Sequence, residues 1–598
     1  MAAIAAFVGE FVTPADAAAL RRLVERDRAG RDAHVHIATH GGIGLAAAWH
    51  HGPAPWASVR AIQVVLDGRL DDRDTVRAAL RDAGHRLIDD ASDTALVAHA
   101  YAAWGSPCFQ RLSGEFAACV WDEARRAVVA ARDRFGVKPL FHAAVPGGRV
   151  VASSLAAIRA WRGVSSQLAD DAITDFLLFG ELQDPRATCF AGVARVPPGG
   201  WTECSAGRAP RDGVYFQLGP VEPLRYREPQ QYVEQFRQVL ETAVGERVGT
   251  SPVTVMMSGG LDSSTVAAFA AGPGGVWADR CVAVTAVYDT LFADPEREFS
   301  SMTARALGLA IEHVPVDAYE LFARWHQDAG PPEPSVEVLS AIMRDLLLRA
   351  GRHAGVALTG DGGDPALLPG AVVRHVGRVR SLALARGVWQ TLQRGRWPPL
   401  GLRSGLLRWT AASRPAAPSW LASRLRRACD PPARWTAHYE RLAPWPSPRG
   451  EALAVLAAPG WPQAFESVDP NTTGLTVELR YPLFDARVVS LALSLPSYPW
   501  CVDKTVLREA MRGRLPDVIR LRPKTALAGD PLALRAWPAR KVVALIKNTP
   551  GMDAYIDVQA FERSAQDPGV LTDRQPGTLA AAALATWLGT AAGRAANV

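Results

Sequence analysis

The sequence predicts an α/β protein built from two units of different make, and three observations carry that reading. Residues 1–205 hold short alternating strands separated by turns, at Ile4–Val8, Val35–Thr39, Ile62–Leu66, Ala117–Trp121 and Val128–Arg132. From Gln231 onward, apolar residues recur at helical spacing, as in Tyr232, Phe236, Val239, Leu240 and Val244. Apolar runs at Val253–Met257, Cys281–Val287 and Val356–Thr359 then alternate with helical stretches, the pattern of a parallel sheet. Residues 206–230 are polar and Pro-containing and read as a linker. The expected division is therefore 1–205, a linker at 206–230, and 231–598.

The bulk properties are those of a folded chain. With 598 residues, 48% apolar and 21% charged, there is ample core, and disorder is excluded on composition. The seven cysteines are scattered, with no C-x-x-C pair, so neither a zinc site nor a disulfide framework is indicated. A reducing, cytoplasmic compartment is expected. The N-terminus lacks the charged-then-apolar layout of a signal peptide. No apolar run reaches membrane-spanning length, and the Ala-rich stretch Leu579–Leu588 reads as a packed helix.

The net charge of +6 is unevenly placed. Residues 371–440 hold 13 Arg, no Lys, one Asp and one Glu, a net +11, which leaves −5 for the rest. The same segment contains Trp389, Trp397, Trp409, Trp420 and Trp435. Three readings stay open: amphipathic helices with solvated arginines, a face for an acidic peptide or partner, and nucleic-acid binding. Of these, nucleic acid is the least expected partner, and no membrane partner is expected.

The stretch Val253 to Ser264 is the most informative. An apolar strand runs into Ser258-Gly259-Gly260-Leu261-Asp262-Ser263-Ser264 and then into an alanine-rich helix. Two glycines allow a tight turn. A helix N-terminus offers unpaired N–H groups to a phosphate, and Ser258, Ser263 and Ser264 add hydroxyl donors. Asp262 puts a carboxylate where Mg²⁺ would sit between phosphates. The lysine-containing phosphate loop G-x-x-x-x-G-K-[ST] is excluded, because no lysine follows. The pattern resembles the S-G-G-x-D-S loop of the ATP pyrophosphatases (the PP-loop family), which grip the pyrophosphate end of ATP and transfer AMP.

A second loop, Gly360-Asp361-Gly362-Gly363-Asp364, follows the apolar strand Val356–Thr359. Glycines there let the backbone approach a ligand closely, and two carboxylates on a tight turn suit a metal ion and an acid–base group. Ligands of open parallel sheets bind off the carboxyl ends of strands, so both loops are expected to face one cleft. Asp262 and Asp364 are the expected pair for Mg²⁺, with Gly360 and Gly362 lining the nucleotide.

Further pieces resemble the asparagine synthetase superfamily over most of the chain. Leu112-Ser113-Gly114-Glu115-Phe116, Ala131-Arg132-Asp133-Arg134-Phe135-Gly136-Val137-Lys138-Pro139-Leu140, Phe190-Ala191-Gly192-Val193 and Arg195-Val196-Pro197-Pro198-Gly199 resemble its glutaminase domain. Arg480-Tyr481-Pro482-Leu483-Phe484-Asp485, Lys504-Thr505-Val506-Leu507-Arg508-Glu509 and Arg522-Pro523-Lys524 follow the order of its synthetase domain. The resemblance implies an N-terminal Ntn-hydrolase-like αββα domain and a C-terminal PP-loop synthetase domain.

The departures bear on function. The family begins Met-Cys-Gly-Ile-Ala-Gly-Phe; this chain begins Met1-Ala2-Ala3-Ile4-Ala5-Ala6-Phe7. That cysteine is the family's glutamine-cleaving nucleophile, and alanine has no nucleophilic atom. The family's Asn-Gly-Glu is here Asp67-Gly68-Arg69. Glutaminase activity is therefore expected to be absent, the domain being kept for structure. Superfamily members without the cysteine include β-lactam synthetases and lasso-peptide cyclases, and the Asp67–Leu70 segment and the second loop resemble the cyclases most. The resemblance implies a macrolactam joining a peptide's N-terminal amine to an Asp or Glu side chain. It implies ATP and Mg²⁺, a precursor peptide as substrate, and as further partners a leader-cleaving protease and a leader-binding protein. The alternative is an ammonia-dependent asparagine synthetase or a β-lactam synthetase-like small-molecule ligase. By resemblance Lys524 is the cation over the adenylate. By spacing, Asp361 and Glu466 fall at the positions of a tyrosine–glutamate pair that assists amine attack.

Overall fold

The computed structural model describes residues 2–26, 33–50, 52–87, 90–326, 330–377, 379, 381–400, 417–524, 528–535, 537–565, 576–590 and 593. The N-terminal unit is two six-stranded antiparallel sheets. Its strands are β1 (Ala2–Gly9), β2 (His34–His40), β3 (Ile43–Trp49), β4 (Trp56–Val59), β5 (Ile62–Asp71), β6 (Ser113–Asp122), β7 (Ala127–Arg132), β8 (Phe141–Val145), β9 (Gly148–Ala152), β10 (Val193–Arg195), β11 (Gly200–Ser205) and β12 (Arg211–Val214). One sheet runs β10-β8-β9-β1-β3-β2, the other β12-β11-β7-β6-β5-β4.

Period-two alternation explains the layering. Along β1, Ala2, Ile4, Ala6 and Val8 face Val65, Cys119 and Val128 of the other sheet. Ala3, Ala5 and Phe7 point the other way, into a cluster with Leu20, Leu23 and Val24 of α1 (Pro14–Arg26) and Leu155 and Ile158 of α4 (Leu155–Arg159). The second sheet is covered by α2 (Arg73–Asp82) and α3 (Asp93–Trp104), through Leu80, Leu96 and Val97. Helix on sheet on sheet on helix is the expected αββα arrangement.

One boundary differs from the sequence reading. Residues 206–230 are not all linker, because β12 pairs with β11 and Tyr215 and Phe216 both donate N–H to the Gly199 carbonyl. The Tyr215 hydroxyl donates to the Arg132 carbonyl at 2.6 Å. An edge strand solvated on one face needs no apolar alternation, so Arg211-Asp212-Gly213-Val214 gave no strand signal.

The C-terminal unit has a five-stranded sheet of β13 (Val253–Met256), β14 (Cys281–Val287), β15 (Ala310–Pro315), β16 (Val356–Thr359) and β17 (Glu478–Arg480). The order is β15-β14-β13-β16-β17, all parallel. The chain builds outward from β13 to β15, then crosses back to β16 on the other side of β13. The switch point therefore lies between β13 and β16, where Rossmann-like sheets place their ligands. Two strands escaped the sequence reading: β15 carries Glu312 and His313, and β17 is three residues long.

The two units share their interior. The helix Pro576–Leu588 packs on α5 (Asp170–Phe179), with Trp587 fully buried beside Phe190. Buried charges also cross the junction. Arg247, at the end of α6 (Pro229–Val248), reaches Glu115 at 2.8 Å, Asp485 at 2.9 Å and Asp71 at 3.4 Å. Such clusters fix register between surfaces more than they add stability. No helix among the described residues is long and apolar enough to cross a membrane.

Candidate active site

The first loop lies at the carboxyl end of β13 and opens α7 (Leu261–Ala270), whose N-cap is Gly260. Ser263 Oγ accepts from the Ser258 N–H at 2.9 Å and lies 2.8 Å from Ser258 Oγ, which in turn accepts from the Gly260 N–H at 3.2 Å. The hydroxyls thus hold the turn open around the start of α7. Ser264 is fully buried and donates to the Ser258 carbonyl at 3.4 Å, so it supports the loop from beneath and does not line the concavity. Gly259 donates its N–H to Glu296 Oε1 at 2.7 Å and accepts from Arg522 Nη1 at 2.9 Å. A Cβ there would stand 2.5 Å from Phe299 Cβ, which requires glycine.

The second loop packs directly on the first. A Cβ on Gly360 would lie 2.6 Å from the Ser263 nitrogen, and one on Gly363 2.5 Å from Asp262 Cγ. Gly362 has φ +103°, in the left-handed region that favours glycine. The glycines thus bring two carboxylates together. Lys504 Nζ lies 2.5 Å from Asp262 Oδ2 and 2.6 Å from Asp364 Oδ1, and Lys524 Nζ lies 2.8 Å from Asp364 Oδ2. Two aspartates and two lysines therefore converge at the switch point.

Lys504 had no role assigned from the sequence, although its motif was part of the resemblance. Its backbone is unusual: Asp503 and Lys504 are both left-handed, with φ +46° and +54°. For a lysine that conformation is strained by ~1–3 kcal/mol and is kept where surroundings enforce it. Here Arg508 Nη2 holds Asp503 at 2.8 Å, Arg396 pairs with the same carboxylate, and Lys504 is aimed between the two aspartates.

The electrostatics differ from group to group. Burial raises the pKa of Asp262 above the ordinary carboxylate range, against the pull of Lys504. Burial also raises Asp361, which accepts a hydrogen bond from Thr359 Oγ1 at 2.8 Å. At Asp364 burial pushes upward too, but hydrogen bonds from Lys504 and Lys524 outweigh it and leave the carboxyl lowered. Among the described residues, Asp262 Oδ1 is buried with no hydrogen-bond partner. An orphaned carboxylate oxygen beside a second carboxylate is a hard oxygen donor set, which fits Mg²⁺.

Glu466 is not brought to this cluster. It is buried, and its carboxylate accepts from Arg132 Nη2 at 2.9 Å and from Arg195 Nε at 2.9 Å. Both oxygens are engaged by guanidinium groups at the domain junction, which corrects the expectation that it assists amine attack. The gap-free count that suggested it could not register this pairing. For Asp361, the proton-accepting role expected from the sequence has a pH test. Since it must be ionised to accept a proton and its pKa is raised, the rate is expected to fall on the acid side at a higher pH than for an ordinary carboxylate. Asp361→Asn should remove that acid limb. Glu466→Gln should leave the limb in place and lower the melting temperature, because it removes the charge shared by two buried guanidinium groups, which keep backbone carbonyls and Glu333 as partners, at a cost of about 1–3 kcal/mol.

In the N-terminal unit, Ala2 occupies the nucleophile position at the start of β1 and is buried. Its N–H donates to Asp67 Oδ1 at 2.9 Å, and Asn471 Nδ2 donates to the Ala2 carbonyl and to Asp67 Oδ2, both at 3.1 Å. Lys138 Nζ sits nearby, 2.9 Å from Glu478 and 3.6 Å from Asp469. The environment is a closed polar network spanning both units.

Comparison with known proteins accords with this division. Residues 20–215 match the family described as glutamine amidotransferase domain, and residues 235–589 match asparagine synthase. Over 527 residues the chain is 26% identical to a protein of Mycobacterium tuberculosis named putative asparagine synthetase [glutamine-hydrolyzing], covering 81% of this chain and 78% of that one. Over 212 residues it is 31% identical to "Asparagine synthetase [glutamine-hydrolyzing] 3" of Bacillus subtilis, covering 35% of this chain and 34% of that one. An amidase of Penicillium rubens is 28% identical over 324 residues, 51% of this chain and 46% of that one. With the asparagine synthase match spanning more than half its length, the chain belongs to the asparagine synthase family.

Proposed function

We propose that this protein is an ATP-dependent carbon–nitrogen ligase that adenylates an Asp or Glu side chain of a precursor peptide and closes a macrolactam with the peptide's N-terminal amine, releasing AMP and pyrophosphate. The observation that carries the reading is the pairing of an intact nucleotide-type cluster at the switch point with an alanine at the glutaminase nucleophile position. The amine must then come from somewhere other than glutamine, and an amine within the same substrate meets the need with the least loss of freedom.

The residues divide the work. Ser258, Gly260 and Ser263, at the N-terminus of α7, face the departing pyrophosphate with N–H and hydroxyl donors. Asp262 and Asp364 would hold Mg²⁺, which when bound neutralises phosphate charge. Lys504 balances the same two carboxylates. Lys524, exposed at the edge of the cluster, supplies positive charge over the developing oxyanion. Asp361 accepts the amine proton. A leader-cleaving protease and a leader-binding protein belong to this reading as partners that deliver the peptide.

Relatives named asparagine synthetase fit in part a second reading, an ammonia-dependent asparagine synthetase or a small-molecule lactam synthetase. Incubation with ATP and a panel of peptides, aspartate plus ammonia, and β-amino acids, followed by AMP and pyrophosphate analysis, separates the two. AMP release driven by peptide supports the proposal. AMP release driven by aspartate and ammonia alone overturns it. The N-terminal unit gives a further expectation. Ala2→Cys should not release ammonia from glutamine, because Asp67, Asn471 and Lys138 fill the surroundings with a fixed network. Ammonia detected from that variant would show the pocket to be competent.

A further inference from the structure

Residues 371–400 carry six arginines and no Lys, Asp or Glu, and the proposed chemistry uses none of them. The helix Ser381–Gln393 lies in this stretch. Its buried side is Gly387 and Thr391. A Cβ on Gly387 would stand 2.6 Å from the Tyr498 carbonyl oxygen, so the helix lies with its backbone against that of the segment Ser497–Cys501. Leu382, Arg386 and Trp389 fall at i, i+4 and i+7, a single stripe. Leu382 is 83% exposed and Trp389 61%. Past the helix end, Arg394 is exposed and Trp397 is 84% exposed. Of the Arg/Trp segment, Trp420 is instead buried in the core, and Trp409 lies outside the described residues.

Two tryptophans and a leucine held in water, interleaved with exposed Arg386 and Arg394, for which no ion pair is present among the described residues, define the chemistry of what covers them. Guanidinium groups take carboxylates in a bidentate fork, and Trp and Arg are the residues that anchor protein interfaces. A single-stranded nucleic acid would stack bases on the tryptophans, but it offers nothing to the aliphatic Leu382 at the head of the stripe. A peptide with both carboxylates and apolar side chains satisfies all of it. The helix is also tied to the catalytic cluster. Arg396, three residues past its end, pairs with Asp503, the neighbour of Lys504, and Arg394 lies over Trp500 at 5.7 Å.

We propose that the Leu382–Arg386–Trp389 stripe, continued by Arg394 and Trp397, is the docking face for an acidic, apolar segment of the substrate peptide outside the ring being closed. The inference rests on the peptide-ligase reading for the identity of its ligand. Docking there holds one part of the chain while another enters the cleft beside Lys504.

The test is fluorescence anisotropy on the full-length protein with a short fluorescein-labelled peptide of alternating Glu and Leu, a Lys–Leu counterpart, and a labelled single-stranded RNA. The Glu–Leu peptide is expected to bind, and the Lys–Leu peptide to bind at least about tenfold more weakly. Arg386→Glu and Trp389→Ala should each weaken the Glu–Leu peptide by about tenfold, the loss typical of one interface anchor. Both side chains are exposed, and circular dichroism checks their fold. The charge-reversed peptide tests the wild type independently of any variant. Equal binding of the two peptides, or preferential binding of the RNA, overturns the docking face. Peptide-dependent AMP release with no Glu–Leu binding overturns the docking face alone. Glu–Leu binding with no peptide-dependent AMP release overturns the ligase reading alone.

Discussion

Asp262→Asn is expected to lower pyrophosphate release by about 10³-fold while leaving the fold intact. Asparagine keeps the shape that Gly363 was made small to accommodate, with a would-be Cβ only 2.5 Å from Asp262 Cγ. What is lost is charge. Oδ1 is the orphaned buried oxygen and Oδ2 one of the two acceptors of Lys504. An amide is a poor ligand for a hard cation, and removing one preorganised electrostatic contact at a reacting centre costs about 10²–10³-fold. Stability should change little, because burial already strains the ionised form and Lys504 keeps Asp364 as a partner. Steady-state pyrophosphate release and a thermal melt on the same preparation check both halves. A melt lowered by more than about 4 °C, a shift that ~2 kcal/mol brings in a unit of over 250 residues, would make the residue structural first.

Lys524→Ala is expected to cost about 10²-fold or more in the same assay, with the melting temperature essentially unchanged. The two variants differ in surroundings. Asp262 is deep in the junction of two loops, whereas the Lys524 side chain is 72% exposed and pairs with Asp364. An exposed pair of that kind adds ~0–1 kcal/mol to folding. Under the proposed function its contribution is to catalysis, as an exposed cation beside the carboxylate cluster. Lys524→Arg tests that separately, since a planar guanidinium cannot replace a compact ammonium at a point of charge development. Near-full activity in Lys524→Ala would remove the residue from the mechanism.

Much of this arrangement was legible in the sequence because it is local. Strand, glycine turn and helix are contiguous in Val253 to Ala270, so apolar run, φ freedom and helix start could be read in line. The second loop reads the same way, with Gly360, Gly362 and Gly363 placed by their spacing. The convergence of Asp262 on Asp364 also followed, because strand ends of a parallel sheet share one side. Lys504 was not legible as the bridge. It is 242 residues from Asp262, and its aim depends on a left-handed backbone at Asp503 and Lys504 that no propensity announces. Glu466 failed for the opposite reason: its position was counted along the chain, while its fate was set by Arg132 and Arg195 in the other unit. Polar edges such as Arg211–Val214 and the three residues of β17 carry no periodic signal, since pairing of the main chain, not side-chain burial, makes them strands.

In the proposed reaction a carboxylate oxygen attacks the α-phosphorus, so that one oxygen of the acid leaves with AMP. The direct measurement uses the acid that passes the substrate panel, labelled with ¹⁸O in its reacting carboxylate, and mass analysis of the nucleotide product. The expected product is AMP carrying one ¹⁸O per amide formed. Label found in inorganic phosphate alongside ADP, or AMP free of label, would contradict it.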